Sequence, residues 1–123
     1  MENSNFNPNN ETLYTLDTDF GSYTVRLRKS TYVENNSLAI IVDSWDDEFE
    51  FWEQFCIITV NLSNGMATDT RAFIDTNNCP FAEKFLVDNN IASPTGRVAQ
   101  SGWCTYPLYQ FKEDVLNKIV EEK

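Results

Sequence analysis

Histidine is absent from this 123-residue chain. That gap removes the commonest general base, together with the Ser-His and Cys-His nucleophile pairs. Positive charge is scarce: nine Lys and Arg stand against nineteen Asp and Glu, for a formal charge of −10. Phosphate-directed binding of DNA or RNA needs clustered Lys and Arg, and an anionic membrane surface repels an acidic chain, so neither is an expected partner. The charge favours a basic protein instead. Cysteine is limited to Cys56, Cys79 and Cys104, with no C-x-x-C pair, so neither a zinc site nor a disulfide framework follows. The four glycines are too dispersed for a phosphate-cradling loop. There is no signal-peptide core and no apolar run long enough to span a bilayer. The expectation is a reduced, cytoplasmic protein that is not an enzyme and carries no metal or cofactor.

Aromatic residues, by contrast, are plentiful: nine Phe, five Tyr and three Trp within a chain that is 41% hydrophobic. A chain of this length supports one modest core, and each ring buries a large area. Residues 1–11 (MENSNFNPNNE) hold five Asn and one aromatic, too little apolar surface to offset ordering, and are expected to be a disordered arm. Residues 12–123 are expected to form a single α+β domain. Tyr23, Val25 and Leu27 alternate with Thr24, Arg26 and Arg28, the clearest period-two strand signal in the chain. Leu38–Val42 is an apolar run suited to a central strand, and Phe55–Leu62 is rich in β-branched residues.

The stretch from 72 to 111 organises the rest. Ala72–Asp75 reads as a strand. Asn78-Cys79-Pro80 then starts a short helix, because proline suits a first helical position where its missing N–H costs nothing. Phe81, Phe85 and Leu86 share one face, and Asn89-Asn90 is the expected stop. Pro94-Thr95-Gly96 and Ser101-Gly102 mark turns in a long loop, and loops of that length are often functional. Thr105–Phe111 is the last expected strand, followed by a helix over 112–121 with Val115, Leu116, Ile119 and Val120 on one stripe. The expected fold is therefore an antiparallel sheet of about five strands, with one inserted short helix and a C-terminal helix packed on one face.

Two surfaces are candidates for function. In residues 43–53 six of eleven side chains are acidic and four are Trp or Phe. A solvated hairpin tip would account for this composition. So would an interaction surface in which Asp43, Asp46, Asp47, Glu48, Glu50 and Glu53 steer toward a basic partner while Trp45, Phe49 or Trp52 supply contact area. Carboxylates on alternate strand positions lie roughly 6–7 Å apart, a row able to imitate a nucleic-acid backbone. The same acids lack the spacing and the glycine of an EF-hand loop. The second candidate is a ligand or peptide loop built from Asp75, Asn77, Arg97, Trp103 and Tyr106. There the Arg97 fork either ties down the loop, by pairing with Asp75 or with carbonyls, or meets a partner carboxylate. A long hairpin carrying Trp also leaves dimerisation open.

Phe73-Ile74-Asp75-Thr76-Asn77-Asn78-Cys79-Pro80, Phe85-Leu86, Pro94-Thr95-Gly96-Arg97 and Ser101-Gly102-Trp103-Cys104-Thr105-Tyr106-Pro107-Leu108-Tyr109 together resemble the bacterial family called domain of unknown function 4313. The resemblance extends more weakly through residues 21–25 and 58–62. It implies no catalytic or binding residues, since the family's biochemistry is unassigned. It does imply a setting on conjugative elements, plasmids and phages, where small acidic proteins are frequently inhibitors of host defence of the antirestriction or anti-CRISPR kind. It also implies a shorter, less acidic hairpin than residues 43–53 provide. The functional expectation is a non-enzymatic inhibitor that binds a basic, nucleic-acid-handling host protein. The alternative is a small regulatory or ligand-binding module that uses the 75–104 motif.

Overall fold

The structure, a computed structural model, describes residues 12–62 and 64–121; the arm expected over residues 1–11 lies outside them. Strands β1 (Tyr14–Thr18), β2 (Gly21–Thr31), β3 (Leu38–Asp46) and β4 (Phe51–Ile57) run antiparallel in the order β1-β2-β3-β4. Strands β5 (Thr59–Val60), β6 (Arg71–Ile74), β7 (Ala92–Ser101) and β8 (Cys104–Phe111) form a second antiparallel sheet in the order β5-β6-β8-β7. Helix α1 (Ala82–Asp88) lies between β6 and β7, and helix α2 (Glu113–Leu116) precedes a two-residue strand β9 (Val120–Glu121). The expected single sheet is thus two sheets, and the division falls at Ile58. There the Ile58 N–H donates to the Ile40 carbonyl of the first sheet while its carbonyl accepts from the Asp75 N–H beyond β6. One fully buried residue carries the chain from one layer to the other.

Alternation decides which faces meet. Val25 and Leu27 of β2 point inward, as do Leu38, Ile40 and Val42 of β3. They join Ala72 and Ile74 of β6, Tyr109 and Phe111 of β8, and Phe85 and Leu86 of α1 in one cluster. Burying each such aliphatic or aromatic side chain contributes about 1.5–3 kcal/mol. The expected short helix is present but starts later than Asn78-Cys79-Pro80 suggests: Phe81 is its N-cap and Ala82 its first residue, so Pro80 lies ahead of it in a turn. In that turn the Asp75 carboxylate accepts from the Asn78 N–H and from its Nδ2, and the Cys79 N–H donates to the Asp75 carbonyl. The expected stop is present too, with Asn89 as C-cap and Asn90 at φ 56°.

Two expectations about the second half fail. The long 94–104 loop is instead strand β7, because Pro94 sits on the sheet edge, where its missing donor is tolerated. Thr95, Gly96 and Arg97 bulge out between the pairs Pro94–Tyr109 and Val98–Pro107, and Gly96 takes φ 90°. The Thr95 hydroxyl donates to the Leu108 carbonyl at 2.9 Å and restores the ladder. The C-terminal helix over 112–121 also fails, since α2 ends at Leu116. Strand β1 covers only the Gly21–Val25 half of one edge of β2, and Val120–Glu121 pairs in parallel with Arg28–Lys29 further along β2. Strand pairing satisfies open edge groups that another helical turn could not reach. Lys29 Nζ donates to the Leu116 carbonyl at 2.8 Å, where α2 stops.

Tyr109 is buried, and its hydroxyl donates to Glu83 Oε1 at 2.6 Å, tying β8 to α1. Burial pushes the phenol above its ordinary 10.0, and the bond to Glu83 pushes the same way. A raised folded-state value means stability that is complete below the ordinary value and is lost as pH rises above it. Tyr109→Phe is expected to cost about 1 kcal/mol at neutral pH. Its urea midpoint should also fall less than that of the native chain once the pH exceeds 10; parallel decline of the two would refute the linkage.

Candidate functional site

The β3–β4 hairpin projects its tip from a stiff base. Trp45 and Trp52 are a register pair with ring centroids 5.2 Å apart in an edge arrangement, and the Arg26 guanidinium carbon lies 4.6 Å from the Trp52 ring centre. Trp45 Nε1 donates to Asp47 Oδ1 at 3.2 Å. Asp46 Oδ1 accepts from the Glu48 and Phe49 backbone N–H groups, and Glu50 closes the turn at φ 57° with its N–H on the Asp46 carbonyl. Asp46 therefore builds the turn, while Asp47, Glu48, Glu50 and Glu53 are exposed around it. The two indoles face each other and Arg26, so the apolar surface offered outward comes from Phe49, 70% exposed, and Phe51, 45% exposed.

Asp43 does not belong to this surface. It is 2% exposed, on the outer face of the first sheet, where the register sets it opposite Arg26. Its Oδ2 accepts from Arg26 Nε at 2.9 Å and Arg28 Nε at 2.7 Å, and its Oδ1 accepts from Arg28 Nη2 at 2.9 Å. Burial alone would raise its carboxyl, but the hydrogen bonds and charges of Arg28 and Arg26 outweigh that and hold it below the usual carboxylate value. The expectation that Asp43 meets a partner is corrected: it is buried and pairs with two of the chain's few cations within the sheet.

The 75–104 motif is gathered only in part: Asp75, Asn77 and Tyr106 are neighbours, while Arg97 and Trp103 stand apart. Asp75 is half-buried and engaged in starting α1, and Asn77 is exposed beside it. Tyr106 is half-buried on β8; its interaction with the Cys104 thiol raises its phenol, and burial and the charge of Asp75 add to this. Arg97 is exposed at the bulge and makes no ion pair among the described residues, so the expected pairing with Asp75 is absent. Trp103 is fully exposed on the Gly102 turn that joins β7 to β8. Inside the fold, the interaction of the Cys56 and Cys79 thiols raises Cys56 and lowers Cys79, and the Cys79 thiol donates to the Ile57 carbonyl at 3.7 Å.

A third surface escaped the sequence reading. Phe20, Tyr23, Phe55 and Phe81 line a groove of about 670 Å³ between the β1–β2 turn, β4 and the start of α1. These four residues come from three separate stretches, and only the exposure of Phe20 on a Thr18-Asp19-Phe20-Gly21 turn was in principle a local signal.

A family model described as a domain of unknown function, DUF4313, matches residues 26–123. The chain belongs to that family. The DUF4313 match takes in the acidic hairpin, the organising stretch and both helices, and excludes β1 and the β1–β2 turn. No curated protein and no solved structure matches the chain. Among the described residues no three His, Cys, Asp or Glu side chains gather to hold a metal, and no helix of this DUF4313 member is long and apolar enough to cross a membrane.

Proposed function

We propose that this protein is a non-enzymatic binding protein that docks the acidic tip of the β3–β4 hairpin on a basic surface of a nucleic-acid-handling protein. In this reading it is an inhibitor of the antirestriction or anti-CRISPR kind, carried by a mobile element and acting in the bacterial cytoplasm. The observation that carries the reading is the tip itself. Asp47, Glu48, Glu50 and Glu53 are exposed around an exposed Phe49, on a turn held by Asp46 and a base held by the Trp45–Trp52 pair. Carboxylates of one sign steer a basic partner in, and a central ring supplies the apolar anchor. A net charge of −10 extends that steering beyond the tip. The fully exposed Trp103 favours a second reading, in which the β7–β8 turn and Arg97 recognise a ligand or peptide for a regulatory module.

The test leaves Asp46 intact, because its carboxylate holds the turn. The immobilised native chain is compared with Asp47→Asn/Glu48→Gln/Glu50→Gln/Glu53→Gln on a bacterial lysate, with stepwise salt elution and mass spectrometry. A nuclease or other nucleic-acid enzyme should elute from the native chain at moderate salt, since exposed charge pairs are screened. Its affinity for the neutral variant should fall at least about fourfold, the sum of four exposed pairs worth about 0.2–1 kcal/mol each. Equal affinity for the two proteins would sink the reading. Loss of binding on Arg97→Ala or Trp103→Ser, with the tip variant unaffected, would move the function to the β7–β8 turn.

A further inference from the structure

The aromatic groove is a second surface, separate from the hairpin tip, and only its Phe55 and α1 side falls within the matched residues 26–123. It opens at one end of the molecule, where the inner face of the first sheet parts from the start of α1. Tyr23 of β2 reaches across β3 to Phe55 of β4, with ring centroids 5.0 Å apart and planes tilted by 45°. Phe55 in turn meets Phe81, at 5.7 Å and 58°. Tilted rings at this spacing are in contact with one another and make one continuous, corrugated aromatic wall. Phe20 stands at the mouth, 91% exposed, held there by its N–H on Thr18 Oγ1 and by the Thr18 hydroxyl on the Gly21 carbonyl. A large apolar ring presented on a braced two-residue turn contributes almost nothing to the core.

Charge selects the occupant. Asp17 and Asp19 flank Phe20 at the rim, both exposed. The Asp17 carboxylate takes one hydrogen bond, from the Ser22 hydroxyl, and Asp19 makes no ion pair among the described residues. The one lining cation, Lys84, is paired with Asp88 one helical turn away, and its charge also reaches Asp17. The rim therefore offers carboxylates beside aromatic faces, the combination that attracts a guanidinium or ammonium both by charge and by the ring quadrupole. The groove of about 670 Å³ beside that wall accepts successive apolar side chains of an extended segment. Proline is favoured among them because a pre-extended ligand loses little conformational entropy on binding.

The geometry points to a peptide-docking groove: Phe20, Tyr23, Phe55 and Phe81 seat the apolar or proline residues of an extended segment of a partner protein, and Asp17 and Asp19 take its flanking Arg or Lys. The partner chemistry is a basic, apolar linear motif, and the groove binds it whether or not the hairpin tip is engaged.

The experiment selects phage-displayed random dodecapeptides on the immobilised full chain, with counter-selection on Asp19→Asn/Phe20→Ser. Both substitutions fall at exposed turn positions, so the thermal midpoint should be unchanged. Enriched peptides should pair Arg or Lys with proline or other apolar residues. Synthesised, they should perturb the amide resonances of Thr18, Phe20, Tyr23 and Phe81 in a nitrogen-15 titration and bind the variant about tenfold more weakly, as loss of an aromatic anchor and a charge predicts. The tip-neutral variant should bind them unchanged, which separates this proposal from the tip reading. Four outcomes overturn it: no enrichment over the variant, enriched peptides without a basic residue, equal affinity for the variant, or resonance shifts confined to the hairpin tip or the Trp103 turn.

Discussion

Asp43→Asn is expected to cost about 3 kcal/mol at neutral pH, because it leaves two arginine forks facing a neutral amide in a site that is 2% exposed at residue 43. Breaking one partner of a fully buried ion pair typically costs about 3–5 kcal/mol. The lower end applies here, because the Arg26 and Arg28 side chains keep 21% and 18% of their exposure and regain some water. The pH dependence identifies the cause. The Asp43 carboxyl is held below its ordinary 3.8 in the folded chain. A depressed folded-state value gives stability that is present above the ordinary value and lost as pH falls through the folded one. The gap between native and variant in urea unfolding should therefore stay constant from pH 7 to about 5 and shrink below about pH 4. A gap that persists undiminished at pH 3 would show that packing, and not the charge, is what Asp43 contributes.

Phe111→Ala should cost about 4 kcal/mol, within the range for removing a fully buried ring and leaving the cavity behind. Phe111 is 1% exposed in the cluster shared by both sheets. It also sits where β8 ends, with its N–H on the Thr70 carbonyl and its register partner Ala92 at the start of β7. Collapse around the missing ring is opposed on both sides by strand backbone. Total stabilities of domains this size are about 5–15 kcal/mol, so the variant is expected to be marginal at 37 °C. Phe20→Ser makes the control: the same residue type, 91% exposed, should move the thermal midpoint by no more than about 2 °C, corresponding to the roughly ±0.5 kcal/mol or less of a surface change. Similar losses for the two would contradict the assignment of Phe20 to a binding surface and of Phe111 to the core.

Much of the local structure was legible before any tertiary information. The period-two pattern of residues 23–28 marks β2. The acid-and-aromatic run marks a hairpin tip, and Asn78-Cys79-Pro80 marks the entry to α1, because each of these depends on side-chain period or on a backbone preference within a few residues. The long motif from Phe73 to Tyr109 was enough to place the chain in its family. What needed the tertiary structure was every property that joins distant residues. The sequence shows Asp43 as one more acid in an acidic run; only the register that sets it opposite Arg26 removes it from the surface. The stripe of Val115, Leu116, Ile119 and Val120 has helical period, yet the half-edge that β1 leaves on β2 draws Val120 into a strand. Pro94 and Gly96 carry turn chemistry, and an edge position with a bulge accommodates both inside β7. The aromatic groove depends on Phe20, Tyr23, Phe55 and Phe81 converging from a turn and two strands of the first sheet and from a helix start. No window of sequence contains that convergence, because side-chain period encodes which face a residue occupies and not which distant face it will meet.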